Sequence, residues 1–391
     1  MTSSADWAGF ESLLCVRPDN LGDVLMTTPA IRALKQSNGR RRITMLTSRA
    51  GASIAAHVPE IDDIEIFDPP WYRHEQAGDR NAVTAAIERL ARRKFDAAII
   101  FTVFSQNPLP SAMLCYQAGV PRIAGYCREN PYGLITDWIP DKEPLYGVRH
   151  EVQRQLDLAT ALGARPRQSA LSLRVPSGLH DQVLQVLCNA GVDVDAPWLL
   201  LHPGASEERR RYPPQKFSLA ARAIRQRMGM QVVLTGSAAE KPLADSIAGD
   251  AGAGVFPVAG RFEIPAFITL VSMAPVMISN NTGPAHIAAA VQTPVVVLYA
   301  LTNPQHAPWQ VAHRVLPFDV PPAGRSRNVI VRYAGDRCFS GTTGMAGVED
   351  IVDAVRELVD STGTCAAETG LVTTSCGFGP NRERKTPAPG L

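Results

Sequence analysis

The residues in this chain best suited to chemistry are a carboxylate behind a glycine, a histidine behind Thr-Gly-Pro, and three arginines behind a Gly-Ala-Ser turn. Asp23 closes the segment Arg17-Pro18-Asp19-Asn20-Leu21-Gly22-Asp23, in which Gly22 allows a close approach of backbone. It has two readings: an acidic residue that favours the dipole of the following helix, or a general base that takes a proton from a substrate hydroxyl. In Ser279-Asn280-Asn281-Thr282-Gly283-Pro284-Ala285-His286 a helix opening at Thr282 and Gly283 would turn free amides on an anion such as phosphate. Pro284 removes one of those donors and fixes the first turn. His286 falls in that turn, either as a donor to a phosphate oxygen or as a satisfied core histidine.

The third loop is His202-Pro203-Gly204-Ala205-Ser206-Glu207-Glu208-Arg209-Arg210-Arg211-Tyr212-Pro213. Its guanidinium forks could clamp a diphosphate, with the Ser206 hydroxyl as a further donor. The alternative is a solvated loop in which Glu207 and Glu208 neutralise the arginines. In Gly236-Ser237-Ala238-Ala239-Glu240, Glu240 either accepts hydrogen bonds from ribose hydroxyls or is a common helix-start glutamate. The seven cysteines stand singly without zinc-like spacing, so no metal site and no disulfide framework is expected.

All these loops follow apolar runs that read as strands. Short apolar runs at 12–16, 42–47, 64–67, 97–101 and 122–126 alternate with helical patterns, which predicts a parallel sheet covered by helices. Thr28 and Pro29 read as the N-cap and first residue of a helix that ends near Lys35. A second series runs from Trp198–His202 through 231–235, 255–258 and 276–279 to 294–299. The expected organisation is a first Rossmann-like unit over 12–175, a second over 176–345, a terminal helix over 346–360 and a disordered tail over 361–391. The segment 313–344 receives no assignment. Ligands of such sheets sit beyond the carboxyl ends of the strands, where the three loops lie.

At 391 residues, with 45% hydrophobic and 19% charged residues, the chain has material for two domains with sizeable cores. A formal charge of +2 lacks the basic footprint of a nucleic-acid binder. The start has no basic, then apolar, leader pattern and no stretch reaches the roughly 20 apolar residues of a membrane span, so a reducing cytoplasmic setting is expected. The Arg40-Arg41-Arg42 run and the helix with Arg89, Arg92, Arg93 and Lys94 read as solvated faces, with attraction to an anionic membrane leaflet as the second reading.

Taken together, the loops resemble glycosyltransferase family 9, the ADP-heptose:lipopolysaccharide heptosyltransferases. The pieces that carry the resemblance are Arg17, Leu21-Gly22-Asp23-Val24-Leu25, Thr28-Pro29-Ala30, His202-Pro203-Gly204-Ala205, Tyr212-Pro213-Pro214, Leu234-Thr235-Gly236-Ser237 and 279–286, spread over residues 12 to 310. The resemblance implies a GT-B architecture, two doubly wound parallel-sheet domains facing a central cleft, and metal-independent, inverting sugar transfer without a cofactor. It makes Asp23 the catalytic base behind the loop-shaping Gly22. It gives Arg210 the leaving diphosphate, assigns Ser206, Asn281, Thr282, Gly283 and His286 to the donor diphosphate, and Glu240 and Gly236 to the nucleoside. The implied partners are a nucleotide diphosphate sugar, ADP-heptose first, and a lipid-linked saccharide acceptor at the cytoplasmic leaflet. Asn281 stands where the family has Asp and Arg210 where it usually has Lys. Two readings from other classes remain: a catalytically silent glycan or nucleotide binder, and a dinucleotide dehydrogenase, which the absence of G-x-G-x-x-G after the first strand disfavours.

Overall fold

The computed structural model describes residues 4–71, 80–300, 305–320, 328–338 and 344–364. The first half contains α1 (Ser4–Gly9), β1 (Ser12–Arg17), α2 (Leu21–Ser37), β2 (Arg42–Thr47), α3 (Arg49–Ala55), β3 (Asp63–Ile66), α4 (Arg80–Arg93), β4 (Ala97–Ile100), α5 (Leu109–Gln117), β5 (Ile123–Cys127), β6 (Asp137–Pro140) and α6 (Glu151–Ala161). The second contains α7 (His180–Asn189), β7 (Trp198–His202), α8 (Pro214–Met228), β8 (Gln231–Leu234), α9 (Lys241–Ala251), β9 (Val255–Pro257), α10 (Ile264–Met273), β10 (Met277–Asn280), α11 (Gly283–Ala290), β11 (Val295–Ala300), β12 (His313–Phe318), α12 (Val329–Cys338) and α13 (Val348–Thr364).

The strands form two six-stranded sheets, ordered β3-β2-β1-β4-β5-β6 and β12-β11-β10-β7-β8-β9. Every pairing is parallel, as in Leu14 beside Thr44 and Ile278 beside Leu201. Renumbered within its own half, the second order is the first read backwards, so each sheet reverses direction once: between β1 and β4, and between β7 and β10. The central strands are buried along nearly their whole length, as the continuous apolar runs of β1, β4, β7 and β11 require when helices cover both faces. The α/β, two-sheet expectation from the βα alternation is met.

Local details depart from the sequence reading. Helix α2 opens at Leu21, so Thr28 and Pro29 lie in its interior and not at its start. Pro29 has no N–H for the Leu25 carbonyl four residues back; the Thr28 hydroxyl donates to that carbonyl instead, at 2.7 Å. The same Thr28 oxygen accepts from the Ser172 amide at 2.9 Å, which ties α2 to the segment after α6. The unassigned 313–344 stretch holds β12 and α12, and β6 and α1 were not foreseen. The terminal helix runs on to Thr364, so the start of the expected disordered tail is helical; residues 365–391 lie outside the described residues. Helix α13 packs on α8, β11 and β12 of the second sheet. No described helix is long and apolar enough to cross a membrane.

Candidate functional site

The two points of strand-order reversal bring the loops after β1, β4, β7 and β10 to the crevices where ligands of such sheets bind. The loops face one another across the two halves, because helix α2 starts after β1, helix α11 starts after β10, and the two helices pack together. Two glycines make this possible. A Cβ on Gly22 would stand 2.8 Å from Cδ2 of His286 and 3.5 Å from Cα of Gly283. A Cβ on Gly283 would stand 2.5 Å from Cδ1 of Leu21. Nothing larger than hydrogen fits at either crossing point without movement.

Asp23 occupies the third position of α2, after the cap residue Asn20, whose side chain makes no capping bond. Its side chain is 19% exposed, neither turned into the interior nor free in solvent. Arg17, the fully buried last residue of β1, places Nη2 3.3 Å from Asp23 Oδ1 and 2.9 Å from Glu151 Oε1. Its Nε lies 3.0 Å from Asp19 Oδ2, and Gln106 Nε2 donates to the other Asp19 oxygen at 2.6 Å. One cation thus serves three carboxylates, which respond differently. Burial pushes Asp19 up to about 6 against the pull of Arg17. Burial also raises Glu151, which is completely enclosed. Burial acts on Asp23 too, but Arg17, His306, His286 and Arg210 together outweigh it and hold this carboxyl below its ordinary range. Asp23 is therefore the member of the three that stays ionised most readily; of the four groups acting on it, His306, His286 and Arg210 come from the second half of the chain, and the two histidines add their charge only in acid.

Those three groups line the facing wall. His286 is buried in the first turn of α11, and its Nδ1 has no hydrogen-bond partner among the described residues. Burial lowers its pKa to about 4, opposed by Asp23 and reinforced by Arg210, so the ring is neutral at pH 7. The His306 ring lies 6.4 Å from it, edge to face, and burial lowers this histidine further, to about 3. Arg210 is partly exposed and approaches Glu207 at 3.6 Å, while its buried Nε has no partner among the described residues. Asn281 Oδ1 is likewise buried and unpartnered among them. Three buried polar atoms without partners, converging on one wall, are what a polar ligand would satisfy.

The remaining predicted residues are placed less uniformly. Thr282 caps α11 with its backbone, its hydroxyl 3.4 Å from the Asn280 carbonyl. The Ala285 amide turns back on the Thr282 carbonyl at 3.0 Å and Pro284 has no N–H, so of the first helical amides Gly283's is the one left to an anion. That is a sparser donor set than an unobstructed helix end. Ser206 is exposed on its loop. Glu240 folds back to accept from the Ser237 amide and hydroxyl at 2.8 and 2.9 Å with one oxygen, as a helix-start glutamate does. Its other oxygen lies where a Cβ on Gly204 would be, at 2.0 Å, so Gly204 is what admits it; Gly236 flanks the same carboxylate.

Residues missed by sequence reasoning hold the site together. Asn280, wholly buried, accepts from the Tyr212 amide at 2.9 Å and donates to the Pro203 and Gly204 carbonyls at 2.8 and 3.3 Å, which pins both ends of the arginine loop to β10. The start of α6 meets the residues flanking His306: the Glu151 amide donates to the Gln305 carbonyl at 3.0 Å, and neighbouring His150 lies 2.8 Å from the Ala307 carbonyl. An Asn closing an apolar strand marked the position of Asn280 but not its remote partners; the pairing of 151 with 305 left no mark at all. Of the basic runs, Arg93 pairs with Asp63 and Glu65, Arg89 with Glu65, Arg42 with Asp63 and Arg40 with Glu11, while Arg41 is buried against backbone carbonyls. No group of three or more His, Cys, Asp or Glu suited to a metal ion occurs among the described residues.

Comparison with known proteins bears on the family and the fold. The family model described as "Glycosyltransferase family 9 (heptosyltransferase)" matches residues 83–329. Lipopolysaccharide heptosyltransferase 3 of Escherichia coli K12 is 26% identical over 345 residues, covering 86% of this chain and 95% of that protein. The crystal structure of a family 9 glycosyltransferase from Veillonella parvula superposes with a TM-score of 0.73 at 17% identity, over 92% of this chain and 100% of the other. The E. coli ADP-heptose lipopolysaccharide heptosyltransferase II structure gives 0.66 at 19% identity, over 90% and 99%.

Proposed function

This chain belongs to glycosyltransferase family 9, and from that premise we propose that it transfers a heptose from ADP-heptose to a lipopolysaccharide-core acceptor, with inversion and without a metal ion. Its similarity to lipopolysaccharide heptosyltransferases and to an ADP-heptose enzyme supports the choice of donor and acceptor. The observation that supports the reading is geometric: Asp23, partly exposed and paired with buried Arg17, stands in the first turn of α2, which packs on the start of α11 where His286 lies against Gly22.

In this reading residues 12–175 hold the acceptor and 176–345 the donor. Asp23 removes the proton from an acceptor hydroxyl as that oxygen forms a bond to the anomeric carbon, and the bond from that carbon to the diphosphate breaks in the same step. A single displacement inverts the carbon. The leaving oxygen's charge is met by Arg210, the Ser206 hydroxyl and the Gly283 amide at the start of α11, with Asn281, Thr282 and neutral His286 as further hydrogen-bonding partners of the diphosphate. These donors supply cationic and dipolar stabilisation from the protein itself. Glu240 and Gly236 flank the nucleoside, Glu240 through the oxygen that its own turn does not use. The acceptor is a lipid-linked saccharide met at the cytoplasmic membrane face.

The test is turnover of the purified chain with ADP-, GDP-, UDP- and dTDP-sugars and a heptose-deficient lipopolysaccharide core. Transfer from ADP-heptose is expected, and Asp23→Ala is expected to abolish it, a loss of at least about a hundredfold, while ADP still raises the melting temperature. Undiminished transfer by that variant would remove Asp23 from its role. Transfer from another sugar nucleotide alone would replace the donor, and no transfer from any would favour a silent nucleotide-binding protein.

A further inference from the structure

We infer that Glu151, at the start of α6, is a positioning residue for the transfer step: it holds the Arg17 guanidinium so that Asp23 keeps a free carboxylate edge. The inference rests on the reading of Asp23 as the base. Its ground is a shared atom. Arg17 Nη2 is 2.9 Å from Glu151 Oε1 and 3.3 Å from Asp23 Oδ1, so the tighter of the two bonds goes to the residue remote from the cleft. Glu151 is wholly buried and Asp23 is not, which orders the three groups from interior to cleft as Glu151, Arg17, Asp23.

Glu151 is itself fixed from two further directions, and its helix from a third. Gln155, one turn further along α6, donates to the same Oε1 and to the Thr102 carbonyl after β4, the latter at 3.1 Å. The Glu151 amide reaches the Gln305 carbonyl, one residue from His306 on the facing wall. Arg154, also in α6, is locked by Asp141 at 2.8 and 3.0 Å, by Glu143, and by the Thr102 carbonyl at 2.8 Å. The groups facing Asp23 are Arg17 from β1, Asp19 from the loop after it, Glu151 from α6, His286 from α11, His306 from the 305–310 segment and Arg210 from the loop after β7. Among them Asp19 holds Arg17 at Nε, and Glu151 is the counter-charge that draws its Nη2, the atom shared with Asp23, inward.

Replacing Glu151 by Gln removes that draw while keeping the shape. Arg17 is then left to close on Asp23, whose lone pairs become committed to an ion pair at the moment they must accept a proton. The cost falls on the chemical step and not on the donor cradle, which lies on the other half of the chain. We expect Glu151→Gln to lower kcat about tenfold or more, with the donor KM and the ADP dissociation constant within about twofold of the parent. Glu151→Asp, which keeps the charge, is expected to recover part of kcat, and it stands in should the Gln variant not fold. Unchanged kcat in Glu151→Gln overturns the inference. So does a loss of ADP affinity that parallels the loss of rate, or a Glu151→Asp variant no better than the Gln variant. Asp23→Asn measured alongside separates the two levels: full turnover there removes the base itself, whereas an inactive Asp23→Asn beside an unimpaired Glu151→Gln removes only the positioning role.

Discussion

A cleft-facing side chain in this molecule is as good as the buried polar group behind it, and Asn280 is the clearest case in the second half of the chain. It sits at the end of β10 with no exposed surface and makes three hydrogen bonds to the backbone of the loop that carries Ser206 and Arg210. Asn280→Ala should leave a buried amide and two buried carbonyls short of partners, each worth about 1–3 kcal/mol when unsatisfied. The expected outcome is a lower unfolding free energy in urea together with weaker ADP binding by calorimetry, because the arginine loop loses its anchor. Stability loss with unchanged ADP affinity would show that the loop keeps its place without it. Asp23, Arg210, Asn281 and His286, the residues proposed to act, could be singled out in the sequence because they stand beside Gly and Pro in loops that follow apolar strands. Glu151 and Asn280 could not, since their roles depend on partners 134 and 68 residues away.

At the scale of elements, legibility followed burial. Central strands such as Leu13–Val16 and Leu199–Leu201 are apolar without interruption because both faces are covered, and their pattern reveals them. Edge strands β6 and β12 are exposed or half-exposed at most positions and carry Asp, Trp, Pro, His and Arg, so no apolar run or clean alternation marks them. Helix α2 misled for a different reason: Thr-Pro is a strong start signal, yet here the proline is accommodated in mid-helix by the hydroxyl beside it. This yields a prediction particular to that helix. Thr28→Val keeps the shape but strips the Leu25 carbonyl and the Ser172 amide of their partner, and both are buried. A destabilisation of about 2 kcal/mol or more is expected, measured by the urea midpoint with an unchanged m-value. A Thr28→Ser control, which keeps the hydroxyl, should retain most of the stability, and equal losses in the two would assign the effect to methyl packing.

For the whole molecule, the contact between the two sheets is where acid should act, because it is built around neutral imidazoles. His286 sits between the starts of α2 and α11 beside Gly22. His150 caps α6 by accepting from the Val152 amide at 3.1 Å, so its other nitrogen donates to the Ala307 carbonyl at 2.8 Å, and its ring lies against Trp309 at 4.4 Å. Trp309 in turn donates to the Ser169 carbonyl at 2.8 Å, so the 305–310 segment clasps both ends of the region around α6. Burial lowers both histidines from 6.5 to about 4. Between those pH values the unfolded chain binds more protons than the native one, so the slope of unfolding free energy against pH is positive there. Stability is accordingly complete above about pH 6.5 and declines as pH falls toward 4, where the native rings begin to charge. A protonated His150 can no longer accept from Val152, which breaks the cap and loosens the clasp together. Thermal unfolding from pH 8 to 4 should therefore show a plateau followed by a fall, and His150→Asn, which retains a side-chain acceptor without a titrating ring, should flatten that fall while leaving the plateau near the parent value. A His150→Asn profile that drops as steeply as the parent's would place the acid sensitivity elsewhere than in this clasp.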